Sequence, residues 1–467
     1  MLPPLIQRPR RNVPPRSRER GVTMALVAAA MVAIISMAAL SIDIGTLYEA
    51  KAETQRAADA AALAAARIIS LSGITGDPTN ASTSWQPTCG GNTSLATSAA
   101  IKVAQQNSIA GVAVPTASVK VTYGAGKAGG AAIDCSTLGS DFGVNPIVTV
   151  NVQRTNLPLF FAHVFSLLGS SFSSTSVSAS ATAEAFNPSK SGSVASLGMI
   201  PVRPRCVKPW IVPNVDPTVG GGGFVSLIDG SIVKQGVLQL GGGVIGETFT
   251  LAADCHQAAG NCMTVGTGMI ANPPTSGGNI IHYVPALGSG NASAVPACSN
   301  ANPYQAAIGG CDQNAVYACG TPLGAEADLT ENPVHPTRLT GDTSVAAQCL
   351  INQSVGSDSL DTVPFPFQIR AGLGSPLAQT GVVNTSDVVT TSNNIVTVPI
   401  YDGLVLGAGA NPAITIVGFL QVFINDINGA GDVNVTVMNV AGCSNNAAGN
   451  PTVTGTSPVP VRLITAP

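Results

Sequence analysis

Hydrophobic and polar positions follow three successive patterns along this chain. Residues 22–42 read VTMALVAAAMVAIISMAALSI without a charge. At about 1.5 Å per residue, a helix of that length covers roughly 30 Å, the hydrocarbon thickness of a bilayer. The run exceeds the about 7–15 residues of a cleaved signal segment and predicts a retained transmembrane anchor. Helical character continues through residues 46–69, TLYEAKAETQRAADAAALAAARII, which are nearly all strong helix formers. Lys51, Gln55 and Asp59 recur at i+4 and share one face, and Glu53 can reach Arg56 at i+3. The many alanines give a smooth surface suited to close packing, on another helix or on the chain's own domain. The predicted helix is roughly 70 Å long, with Gly45 as the expected point of a bend.

The second pattern is mixed. Residues 93–110 read as a helix, and residues 117–123 and 146–154 alternate as half-buried strands. Residues 159–168, LFFAHVFSLL, read as a short apolar helix. Residues 172–185 alternate with Val177, Ala179, Ala181 and Ala183 on one face and Ser176, Ser178, Ser180 and Thr182 on the other. This predicts a small α+β unit at the foot of the anchor.

After a Pro/Ser/Gly-containing link at 187–192, short apolar runs alternate with Gly-rich turns at 224–228, 232–240, 244–251, 395–400, 414–424 and 433–440. That predicts a mainly-β domain, a sandwich rather than a barrel. Residues 255–364 lack periodicity and are expected to be an insertion of irregular loops. The expected fold class is α+β, divided into a basic tail (1–21), a transmembrane helix (22–42), a juxtamembrane helix with a small α+β domain (43–187), and a β-rich domain (193–467).

Charge sets the expected orientation. Six arginines against Glu19 give the first twenty residues +5, and a chain total of −3 leaves −8 for the rest. Basic residues flanking an anchor are held in the cytoplasm, so the bulk is expected on the other side of the cell inner membrane. The balance gives no basis for nucleic-acid binding; the basic tail suits topology and anionic lipid. Only 10% of residues are charged and 4% aromatic, with 51 glycines and 33 prolines, which suits an exported, loop-rich protein better than a cytosolic enzyme. All ten cysteines follow the anchor, as expected for disulfides in an oxidising compartment. Pairings cannot be read from sequence. The short loops Cys255–Cys262 and Cys311–Cys319, and the isolated Cys89 and Cys135, are the first candidates.

One stretch resembles a known family. Arg20–Gly21 leads into the anchor; Asp43-x-Gly45, Tyr48, Lys51 and Gln55 follow, then Ala57-Ala58-Asp59-Ala60-Ala61-Ala62-Leu63-Ala64. These residues resemble the N-terminal segment of TadG-like proteins of the Flp (tight adherence, Tad) pilus-assembly system, over about fifty residues. The family-motif positions are Gly21, Asp43, Gly45, Tyr48, Lys51, Gln55, Ala58, Asp59 and Ala62. The small α+β layout is similar to the pilin-like ectodomains of that family. Type IV prepilins carry Glu five residues after their cleaved Gly; counted from Gly21 that position is Leu26, which implies an uncleaved anchored component. The resemblance implies pilus assembly or surface attachment and specifies no reaction.

Other constellations point to weaker chemistry. Gly124, Gly126 and Gly129 fit GxGxxG after a strand, but a loop-like sequence follows where a dinucleotide site needs a helix. Cys255, His256, Cys262 and His282 match no familiar zinc spacing. His163 and His335 read as a packed and a loop histidine. Asp426, Asn428 and Asp432 in NDINGAGDVN resemble a short calcium loop, against the plainer reading of an Asn/Asp/Gly hairpin turn. GxSxG, HExxH and P-loop motifs are absent. No cofactor and no enzyme activity are expected. The function expected is that of a membrane-anchored structural component working through other pilus-assembly or envelope proteins, the bilayer, and self-association through the Ala-rich helix. Two alternatives stand beside it: an adhesin binding glycans or matrix through its C-terminal β-domain, and an anchored periplasmic hydrolase.

Overall fold

In the computed structural model, the residues described are 19–76, 85–126, 130–157, 175–187, 202–218, 222–253, 279–293, 298, 302–314, 317–319, 325–331, 341–363, 367–403, 406, 409–443, 453–455 and 457–464. Helix α1 (Glu19–Leu71) is a single rod of 53 residues, roughly 80 Å long. It passes Gly45 without interruption, beside open space. Its apolar half, including Met24, Leu26, Met31, Ile34 and Ile35, is exposed, whereas Ala57, Ala58, Ala61, Ala62, Ala65, Ala66 and Ile69 are fully or almost fully buried. A soluble helix would hide the first set; here small residues are hidden instead, because they let α1 lie close on what it covers.

That covering is this chain's own. Strand β1 (Val119–Ala125) lies beside β2 (Pro146–Arg154), and β2, β3 (Val177–Ala185) and helix α2 (Leu95–Gln105) cover the alanine face. The strands form an antiparallel sheet in the order β10-β3-β2-β1, where β10 (Val461–Ile464) comes from the far end of the fold. In β3 the expected alternation holds from Val177 to Ala181. Beyond that, Thr182 and Glu184 are buried too: Arg462 Nε of β10 donates to Glu184 Oε1 at 2.7 Å and its guanidinium lies 5.6 Å over the Phe186 ring. Cys89 bonds Cys135 beside Trp85, whose ring tilts against Phe142 at 6.2 Å. The apolar stretch 159–168 lies outside the described residues, as do His163, His256 and His335 and the cysteines at 255 and 262.

The larger β unit is a closed barrel rather than a sandwich. Its strands are β4 (Trp210–Pro213), β5 (Thr248–Ala253), β6 (Ile280–Pro285), β7 (Ile395–Tyr401), β8 (Ile416–Ile427) and β9 (Val433–Gly442), in the closed order β7-β8-β9-β5-β6-β4. Closure depends on two parallel pairings, β4 with β7 (Val212 opposite Ile400) and β5 with β6 (Leu251 opposite Ile281). Once the ring is shut, no edge is left to meet a second sheet. The runs at 224–228 and 232–240 do not become ladder strands. They touch through isolated bridges, Val225 with Ile232 and Val237 with Ile245, and Gly236 at φ 101° turns the chain within the second run. Phe224, Val225, Ile232 and Val237 from these runs join the barrel core instead.

Residues 255–364, expected as irregular loops, contribute β6 and two helices, α3 (Pro303–Gly309) and α4 (Asp342–Leu350). Short-range polar contacts start them. Asn302 Oδ1 accepts from Gln305 N at 2.8 Å, and Gln305 Nε2 donates to Asp342 Oδ1 at 2.6 Å. Thr343 Oγ1 then lies 2.7 Å from Tyr283 OH and 2.9 Å from Tyr304 OH, joining β6, α3 and α4. The short-loop pairing of Cys311 with Cys319 is replaced: Cys311 bonds Cys206, Cys319 bonds Cys443 at the end of β9, and Cys298 bonds Cys349 of α4. Cys319 and Cys443 share a small core with Phe419 and Tyr317, so tertiary placement overrides proximity in sequence.

Candidate functional site

The family-motif residues converge on the junction of α1 with its sheet. Asp43 is buried, the first such residue along the rod, and Thr46 Oγ1 donates to its carbonyl at 2.8 Å. About two turns beyond Asp43, Lys51 Nζ donates to the carbonyl of Ser178. A further turn on, Gln55 Nε2 donates to Asp59 Oδ1 at 2.7 Å and to Ser180 O at 3.3 Å. Glu53 Oε2 accepts from Ala110 N at 2.7 Å, which ties the other flank of the helix. Ala58 and Ala62 lie between, fully buried. Gly21 belongs to the same rod.

The polar stripe has a clear structural task. Residues two apart in a strand direct their backbone groups to the same side. Phe186 N donates to Pro460 O, and β10 pairs with β3 from Thr182 to Ala185, so even-numbered residues face the β10 side. Among the described residues β10 ends at Ile464, opposite Thr182, and no described strand pairs with Ser178 and Ser180 on that edge. Lys51 and Gln55 supply the donors there. An open strand edge is a template for unwanted pairing, and long polar side chains blunt it. Tyr48 has 74% of its surface exposed.

The far end of α1 meets the barrel. Asn439 Nδ2 of β9 donates to Ser70 O at 2.5 Å, Asn187 Nδ2 donates to Val440 O at 2.8 Å, and a cleft of about 120 Å³ opens between Leu71, Leu95, Phe367, Val389 and Met438. The face of α1 formed by Ala57, Ala58, Ala61, Ala62, Ala65 and Ala66 is therefore spent within the chain, while Ala60 and Ala64 are half-buried and Ala52 is exposed.

The remaining sequence candidates occupy other places. Asp426, Asn428 and Asp432 sit at the hairpin between β8 and β9. Asn428 Oδ1 accepts from Ala430 N (2.8 Å) and Asp432 N (3.0 Å), and Asp426 Oδ1 accepts from Asn434 Nδ2 at 2.7 Å. These bonds build the turn. Among the described residues no group of three or more His, Cys, Asp or Glu could hold a metal. Gly124 is a ladder residue of β1 opposite Ile147, not the start of a helix.

One titratable residue escaped sequence reading. Lys208, buried, donates from Nζ to Ile308 O at 2.6 Å, Gly310 O at 2.7 Å and Ala307 O at 3.4 Å, closing the C-terminal end of α3 beside the Cys206–Cys311 bond. Burial pulls its ammonium down to about 7. Nothing in the local pattern VKPW marks it for burial.

The geometry defines a class: a mixed α+β, disulfide-bonded protein carried on one helix long and apolar enough to anchor it in a membrane. Within that class, residues 21–67 match the family model Tad, described as TadE/G-like Flp pilus assembly, over about a tenth of the chain. The match covers the N-terminal segment that the motif residues occupy, and the family it names is one of Flp pilus assembly. No curated protein and no solved structure matches the chain significantly.

Proposed function

We propose that this protein is a membrane-anchored structural component of Flp/Tad-type pilus assembly or surface attachment, working through protein–protein contacts. The observation that carries this reading is the continuity of α1, whose apolar half leads without a break into a motif bonded to the sheet through Lys51, Gln55 and the buried alanines. Force or position applied to the barrel is then transmitted to the anchor by a rod instead of a flexible linker. The N-terminal arginines favour a cytoplasmic N-terminus, and disulfides favour an oxidising space for the rest. In this reading residues 1–21 are the tail, 22–42 the span, 43–187 the junction and 193–467 the presented domain, whose partners are other pilus-assembly or envelope proteins.

Two measurements test it. Deleting residues 22–42 should move the protein from the membrane to the soluble fraction; a protein that stays in the membrane removes the anchor. Disrupting the gene should reduce piliation or adherence; normal pili and normal adherence would remove the function.

A further inference from the structure

Residues 214–218 and 222–247, between β4 and β5 in the chain, bury Phe224, Val225, Ile232, Val237, Val244 and Ile245 in the barrel core. Asp216 and Glu247 stand near the two ends of this connection, each only 1% exposed, and Lys234 between them donates to Glu247 Oε1. Thr218 joins all three. Its backbone N donates to Asp216 Oδ1 at 2.8 Å; its Oγ1 lies 2.7 Å from Asp216 Oδ1, 2.8 Å from Glu247 Oε1 and 3.0 Å from Lys234 Nζ.

Counting protons exposes a shortage. A threonine hydroxyl has one proton and two acceptor lone pairs. With both acids ionised, Thr218 can donate to only one of them, and the other contact sets two proton-free oxygens against each other. The cluster would also hold two negative charges against one positive, a net buried charge that is costly without compensation. Moreover, Asp216 Oδ2 and Glu247 Oε2 have no hydrogen-bond partner among the described residues. One proton on Glu247 Oε1 resolves the count. That oxygen then donates to Thr218 Oγ1, Thr218 passes its own proton toward Asp216 Oδ1, Lys234 donates to both Thr218 and Glu247, and the net charge is zero.

We propose that Glu247 is the proton-holding member of a pH-sensitive latch that ties the two ends of this connection, next to β4 and β5, to its middle. The charged groups that act on Glu247 are Asp216 and Lys234. Burial pushes its carboxyl above the usual range and the Asp216 charge adds to this, while the Lys234 and Thr218 contacts oppose it. Because Val237 and Ile245 of the same segment pack against Gly73 just beyond α1, the latch also governs how firmly the barrel seats on the anchor rod. A carboxyl whose proton affinity is raised on folding contributes stability that is complete below its unfolded value and is lost as pH climbs through its folded value.

The test is thermal unfolding of the full chain in detergent micelles, wild type against Glu247→Gln, at about pH 5 and about pH 8. The two should unfold within about 1 °C of each other at the acid end, with wild type lower by about 3 °C or more at the alkaline end. Wild type equal to or above the variant at alkaline pH overturns the proposal. Should Glu247→Gln fail to fold, Asp216→Asn takes its place: it removes the surplus charge and should flatten the same pH dependence, and an unchanged slope overturns the latch. Full recovery of wild type at alkaline pH by millimolar calcium chloride would assign the missing charge to a metal ion and overturn the proton.

Discussion

Gly73 lies so close to Ile245 that a methyl group added at its Cα would stand 3.1 Å from both Cδ1 and Cγ2 of that side chain. Its φ of 79° is a second constraint, since it lies where L side chains are strained. Gly73→Ala should therefore destabilise by about 1–2 kcal/mol, the conformational penalty alone supplying most of it. Denaturant midpoints of the full chain in detergent check this; an unchanged midpoint would mean that the joint yields easily.

Packing should matter more than polar contacts where α1 meets its sheet. Ala58→Leu or Ala62→Leu places extra methylenes into fully buried positions and should cost about 1–3 kcal/mol each. Lys51→Ala and Gln55→Ala expose carbonyls that water can reach, so each should cost about 1 kcal/mol or less. The reverse ranking in unfolding experiments would show that the polar stripe, not the alanines, fixes the rod.

Lys208 predicts a pH effect of definite sign. Its folded value of about 7 lies below the unfolded 10.5, so the unfolded chain binds more protons between these limits. Stability contributed at this site should rise as pH increases through that window. Unfolding midpoints at about pH 7, 8 and 9 should climb in wild type relative to Lys208→Met, whose side chain cannot titrate. Parallel profiles would mean that the three carbonyls keep the ammonium charged throughout.

The disulfide framework makes a chemical prediction. Peptide mapping without reduction should recover Cys319 linked to Cys443 and Cys206 linked to Cys311, not Cys311 linked to Cys319. Replacing Cys319 and Cys443 together by serine should cost about 2–5 kcal/mol, because the bond closes a long loop of the unfolded chain. A peptide joining Cys311 to Cys319 would refute this connectivity.

How much of this was legible depended on whether the cause was local. The rod, α2 and strands β1 to β3 follow from periodicity within a dozen or so residues, and their positions agree closely with expectation. The docking role of Lys51, Gln55 and Asp59 was half legible: i+4 spacing puts them on one face, but the carbonyls of Ser178 and Ser180 lie more than a hundred residues away. Barrel closure was not legible, because Val212 meets Ile400 in parallel and no local pattern announces such a partner. Residues 224–228 and 232–240 were misread as strands for a related reason. Short apolar runs look alike whether they extend a ladder or cap a core. Helix α4 was missed because its nine residues, DTSVAAQCL, are too few for a helical period to stand out. The proton shortage around Thr218 depends on three contacts brought together only by the closed fold.

The pairing of β10 with β3 has a consequence for how the molecule is made. Arg462 follows Glu184 by 278 positions, so the strand that completes the first sheet leaves the ribosome long after the sheet's other members. Until it arrives the half-built sheet has that border bare, and the alanine-lined rod can settle fully only when β10 pairs with β3. Premature termination anywhere in the barrel would thus leave the foot of the molecule unfinished as well as its head.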